Sequence, residues 1–139
     1  MDEINITFDD IRNYRALSAE LYALQLEQTM VWNLIHSPNG RVSIGEARGN
    51  STSDPTARAA MRLIELDELI GVQLEEVTSK LTAIHKFLDE LPDREVAQMC
   101  KLHYLDNVPW RMVAIRMYYS NESSVRSRVM RYFGRETSE

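Results

Sequence analysis

Residues 91–133, LPDREVAQMCKLHYLDNVPWRMVAIRMYYSNESSVRSRVMRYF, decide how this chain folds. The run breaks into three short helical patterns separated by turn residues. Pro92 and Asp93 open the first, expected over about Asp93–Tyr104, with Val96, Met99, Cys100 and Tyr104 facing inward. Asp106-Asn107 marks a turn. The second pattern is expected over about Pro109–Tyr118, with Pro109 in the first turn, where its missing N–H is harmless. Trp110, Val113, Ala114 and Met117 share one side of it. Tyr119-Ser120-Asn121 forms the next turn, and Asn121 can cap a third helix by accepting from a free backbone N–H. Val125, Val129, Tyr132 and Phe133 give that helix an apolar stripe. Its other side shows Glu122, Ser123, Ser124, Arg126, Ser127, Arg128 and Arg131.

Upstream, two longer helices are expected. Few runs alternate with period two, so strands are not expected. A first helix should cover Phe8 to about Ile35. Asp9 and Asp10 lie in its first turn, where negative charge suits the helix dipole. Tyr14, Leu17, Leu21, Leu24, Val31 and Ile35 follow a three-four rhythm interrupted by Gln28. Ser37-Pro38-Asn39-Gly40 then stops it. Residues 37–53 are rich in glycine and serine and read as a flexible loop, longer than most connections. A second helix should start near Ser53 or Asp54 and run to about Leu91. Ala60, Leu63, Asp67, Ile70, Leu74, Val77, Leu81, Ile84, Leu88 and Leu91 form a seam of alternating three and four steps. Asp67 is its only polar member, costly there unless paired and able to set register. Such a helix spans roughly 55 Å at 1.5 Å per residue. Its seam fits either the first helix folded back or the same helix of a second chain.

The expected fold is therefore all-α. Residues 1–91 form a long helical hairpin or coiled-coil lobe for oligomerisation or partner binding, and residues 92–139 a tri-helical helix-turn-helix domain.

Charge and composition narrow the function. The 139 residues carry a net charge of −5, but unevenly. Residues 1–92 hold eight basic and fifteen acidic side chains, net −7; residues 93–139 hold eight and six, net +2. Within 111–135, six arginines face one acid, Glu122, net +5. A basic module on an acidic body fits the footprint of a DNA reader, and charge alone fits a solvated helical face equally well. No apolar stretch is long enough to span a membrane. The acidic start, MDEINITFDDIRNYR, lacks the apolar segment of a signal peptide. The single cysteine, Cys100, excludes an intramolecular disulfide and suits a reducing compartment, so a cytoplasmic location is expected.

Cys100 and His103, three residues apart, supply two metal ligands where zinc needs three or four. No metal or cofactor is expected. The acids Glu65, Asp67, Glu68, Glu75 and Glu76 read as a solvated helical flank. No phosphate-cradling glycine loop, nucleophile elbow or paired catalytic motif occurs, so no enzyme is expected.

The third helix of the module has what a major-groove reader needs. Its first turns enter the groove, arginine can hold guanine at two atoms, and serine can bond several bases. Ser123, Ser124, Arg126 and Ser127 are the expected base contacts. Arg111, Arg128, Arg131 and Arg135 are the expected phosphate contacts, which position without reading sequence. Trp110 is expected to pack the core rather than stack on bases.

The run from Leu91 to Phe133 resembles region four of bacterial sigma factors. Residues 10–133 more closely resemble ArpU-type regulators of phage late transcription. The matching residues are Leu91, Arg94-Glu95, His103-Tyr104-Leu105-Asp106, Trp110, Val113-Ala114, Met117, Tyr119-Ser120 and Val125. The serine-rich loop with Asp54, Thr56 and Ala57, then a long amphipathic helix, also looks like that family. Pro109 stands where such chains have a capping serine, and Asn121-Glu122-Ser123-Ser124 departs from their usual start of the reading helix. The resemblance implies a DNA-binding, sigma region four-like transcription regulator that activates late genes of a phage or prophage.

Two rival readings use the same residues. One is a phage small terminase subunit whose coiled region builds a ring at a packaging site. The other is an adaptor that binds RNA polymerase without touching DNA. The expected partners are thus double-stranded DNA, RNA polymerase and further copies of the chain, with a dimer favoured because one small reader has limited affinity.

Overall fold

A computed structural model describes residues 4–36 and 55–134. Among these residues 81% are helical and none is in a strand. The elements are α1 (Phe8–Arg12), α2 (Tyr14–Ile35), α3 (Pro55–Asp89), α4 (Arg94–Cys100), a π-helical turn (Lys101–Leu105), α5 (Trp110–Arg116) and α6 (Glu122–Tyr132). The expected loop at 37–53 and the expected cap at Ser53 or Asp54 lie outside the described residues. No helix among the described residues is long and apolar enough to cross a membrane.

The expected first helix is two helices. Thr7 and Asp10 form a reciprocal cap: Thr7 Oγ1 accepts from the Asp10 N–H, and Asp10 Oδ2 accepts from the Thr7 N–H at 2.9 Å. At Asn13 the backbone leaves helical values (φ −94, ψ 9). Asparagine competes for its own backbone and is a weak helix former, which suits it to this break. Hydrogen bonding resumes at once, with the Leu17 N–H donating to the Asn13 carbonyl at 3.0 Å.

The chain divides into two compact units. One comprises residues 19–78, the other residues 1–18 together with 79–139. This division does not follow the expected boundary at 91/92, and the reason is visible in the core of the second unit. Ile11 of α1 and Ile84 and Leu88 of α3 are fully buried with Val96, Met99 and Cys100 of α4, Val113 of α5, and Val125 and Val129 of α6. Phe8 stacks on Phe133, with centroids 4.5 Å apart, and meets Tyr104 edge-on at 5.7 Å. Tyr14 and His85 share a hydrogen bond of 2.7 Å, and Lys80 pairs with Asp10 at 3.3 Å. The three C-terminal helices therefore close their core with the first helix and the end of the third.

The junction into α4 is closely fixed. Arg94 donates to the carbonyls of Leu88, Asp89 and Leu91, satisfying the open end of α3. Asp93 caps α4, accepting from the Val96 N–H at 3.2 Å. The helix expected to reach Tyr104 widens at Lys101 into the π-turn. There the Asp106 N–H reaches back to the Lys101 carbonyl. That turn presents His103 to Trp110, ring on ring at 3.8 Å, with Nδ1 2.8 Å from the Val108 carbonyl oxygen.

In the unit of residues 19–78, Leu24 and Val31 of α2 and Ala60, Ile70 and Val77 of α3 are buried. The expected seam of α3 is followed closely, with Leu63, Asp67 and Leu74 half-buried between the buried positions. The polar interruptions of the two helical patterns meet. Gln28 and Asp67 line one groove of about 230 Å³ with Thr29 and Trp32. A half-buried polar residue within an apolar seam disfavours shifted registers that would bury it without a partner.

Candidate nucleic-acid interface

α5 and α6 are joined by the segment 117–121, and its geometry sets how α6 is presented. Tyr118 has φ +63. Its N–H donates to the Ile115 carbonyl, and the Tyr119 N–H donates to the Ala114 carbonyl at 2.8 Å. This is the helix-ending pattern whose left-handed position glycine usually occupies. A tyrosine there costs about 1–2 kcal/mol. Its side chain makes no compensating burial, being 95% exposed.

α6 begins as expected. Asn121 Oδ1 accepts from the Ser124 N–H at 2.8 Å and from Ser124 Oγ at 3.1 Å. Val125 and Val129 are fully buried beneath it, so the helix is locked from below and its opposite side is held in one orientation. On that side lies a groove of about 370 Å³ lined by Tyr119, Asn121, Ser123, Ser124, Ser127, Arg128 and Arg131.

The structure thus brings Ser123, Ser124 and Ser127 together with Arg128 and Arg131. Ser123 is exposed and Ser127 half-exposed, each offering a hydroxyl that donates and accepts. The Ser124 hydroxyl is turned into the cap but keeps its acceptor lone pairs. Arg126 does not line this groove. It is half-buried on the neighbouring flank of α6, near Tyr104, whose hydroxyl burial pushes up to about 12 against a small opposing effect of the Arg126 charge. Arg111 is exposed in the first turn of α5. Arg135 lies outside the described residues.

Arg128 has protein partners of its own. Its Nη2 lies 2.8 Å from Asp93 Oδ2 and 3.3 Å from Glu95 Oε1, tying α6 to the start of α4. The Arg128 hydrogen bond, followed by that of the Val96 N–H, holds the Asp93 carboxyl below the usual carboxylate range. Asp93 in turn raises the Arg128 guanidinium. Tyr119 donates to Glu95 at 2.9 Å, and burial, followed by this bond, pushes its hydroxyl up. One guanidinium between two carboxylates leaves that end of the groove without surplus positive charge. Arg111, Arg116 and Arg131 make no ion pair with another described residue and are exposed.

Arg116 is exposed in the last turn of α5; it was not singled out from the sequence, although its signal was present, as one of the six clustered arginines. Nothing local marks Tyr118 for its left-handed turn. Trp110 is half-buried against the core, stacked on His103 and edge-on to Tyr104. Burial pushes the Cys100 thiol up to about 12, so it is a neutral core side chain. Burial also lowers His103, although its bond to Val108 works the other way. No group of three His, Cys, Asp or Glu able to hold a metal occurs among the described residues. The surface therefore offers hydroxyls, guanidinia and a capped helix start, which suit an anionic ligand with polar edges. Comparison of the chain with family models, with curated proteins and with solved structures finds no match.

Proposed function

We propose that this protein is a sequence-specific double-stranded DNA-binding regulator of transcription. In this reading α5 and α6 act as a helix-turn-helix, with α6 as the reading helix. The observation that carries it is the groove on the open side of α6, where Ser123, Ser127 and Arg131 stand on a helix locked from below by Val125 and Val129. A reader must hold short polar side chains at fixed spacing, because base edges discriminate only when donors and acceptors meet them in register. Ser123, Ser124 and Ser127 meet bases, and small side chains let the backbone come close. Arg111, Arg116 and Arg131 hold phosphates on either side. Arg128 serves mainly to fix α6 against α4, and Arg126 approaches from the flank.

The resemblance to ArpU-type regulators supports activation of phage late genes as the biological setting, with RNA polymerase as the protein partner. Sequencing the fragments that the full chain retains from sheared DNA of its own genome tests this. Enrichment of one promoter region is expected. A Ser127→Glu variant should lose that enrichment while keeping its circular dichroism and melting temperature. Enrichment of a packaging site would move the reading to a terminase subunit, and no enrichment by the unmodified chain would contradict DNA recognition.

A further inference from the structure

The second helix is apolar on two opposite sides. Leu24 and Val31 are buried on one side. About half a turn away, Tyr22, Leu26, Met30 and Leu34 recur every four residues, which places them on one stripe. They are 63%, 50%, 65% and 39% exposed. Ala19 and Ala23 lie on the same stripe and are also exposed. Between residues 21 and 35 the helix carries one charge, Glu27. A helix with two apolar sides covers only one of them against a single partner helix.

We propose that this face of α2 is the interface at which two copies of the chain associate. Charge favours a second copy as the occupant. Opposed to itself, the stripe brings apolar side chains together and no like charges. In residues 55–78, by contrast, α3 carries seven charged side chains. Its exposed Met61, Leu69 and Val72 stand among Arg58, Arg62, Glu65, Glu68, Glu75 and Glu76, so burying that face would take charged side chains out of water. Area agrees: the stripe offers on the order of 600 Å² per copy, and the resulting 1,200 Å² or so meets the lower bound of a specific interface. The chain's own segment 37–54 is a poor cover, since Val42 and Ile44 are its only large apolar residues. Self-association through α2 leaves α3 on the outside with its acids in water. This inference rests on residues 19–78 alone and stands whether or not α6 reads DNA.

Sedimentation equilibrium of the full chain, without DNA, tests it. The unmodified chain is expected at twice its monomer mass at tens of micromolar, and Leu26→Asp with Met30→Asp at monomer mass with unchanged helicity. The matching change on α3, Leu69→Asp, should leave the dimer intact. Cysteine crosslinking keeps the test sound if the double variant misfolds. Leu26→Cys should give a covalent dimer with a short bismaleimide and Leu69→Cys should not, Cys100 being buried. A monomeric unmodified chain, a ring of many copies, or a dimer crosslinked through Leu69→Cys but not Leu26→Cys would each overturn it.

Discussion

The two units of this chain solve the same problem in opposite ways. The unit built from residues 1–18 and 79–139 uses short helices of 5, 7, 7 and 11 residues, each marginal on its own. It compensates with caps at Thr7, Asp93 and Asn121 and a core whose central side chains are fully buried. The unit of residues 19–78 uses two long helices that need few caps, and it leaves large apolar side chains in water on α2. Interior packing and surface chemistry are thus separated. The first unit buries a continuous core within one chain, leaving Met112 and Ile115 of α5 exposed; the second keeps a longer uncovered apolar side on α2.

The largest test of that contrast is core truncation. Leu88→Ala, at a fully buried position, should cost about 3 kcal/mol. Leu69→Ala, on an exposed α3 position, should stay within about 0.5 kcal/mol. Urea unfolding reads both, and equal costs would break the comparison. Next in size, Asn121→Ala removes the cap of α6 and should cost about 1 kcal/mol; an unchanged midpoint would show that packing alone holds α6. Tyr118→Gly should raise stability by about 0.5–1 kcal/mol, because glycine occupies the left-handed turn without strain and loses part of that gain to unfolded-chain entropy. A loss of stability there would mean that the tyrosine ring contributes to the folded state.

Acid sensitivity sharpens the comparison further. Burial against Trp110 lowers His103, so the folded state favours its neutral form. Stability from this source is complete above the unfolded value near 6.5 and falls as the pH drops through that value, when the unfolded chain takes up the proton first. Urea midpoints should decline from pH 7.5 to 5, and His103→Gln should flatten that decline. The carboxyls of Asp10, Asp89 and Asp93 are lowered by their partners, so their contribution is lost only below the ordinary carboxylate range.

What could be read from the chain divides along the same physical line. Helical periodicity is local, and the seam of α3 from Ala60 to Leu88 and the face Val125–Val129 were legible from spacing alone. So was the cap at Asn121, because capping chemistry is carried by the residue itself. The stacking of Phe8 on Phe133 was not legible, since nothing near either residue marks the other, and the expected boundary at 91/92 missed it for that reason. The break at Asn13, the π-turn at Lys101–Leu105 and the left-handed Tyr118 depend on how neighbouring helices must meet. In the site, residue types were readable but orientation less so. One helical step separates Arg126 from Ser127, and that step moves a side chain through about 100°, off the groove and onto its flank. Arg128 looked like a free cation until the acids of α4, Asp93 and Glu95, were placed beside it.

The most direct test of the account is the salt dependence of binding to a DNA duplex drawn from the retained fragments. With Arg111, Arg116 and Arg131 on phosphates, the logarithm of the association constant should fall with the logarithm of salt concentration at a slope of about −3 per bound chain. Arg131→Ala should reduce that slope by about one. No binding at low salt, or a slope near zero that Arg131→Ala leaves unchanged, would contradict the assignment of α6 and its groove to DNA.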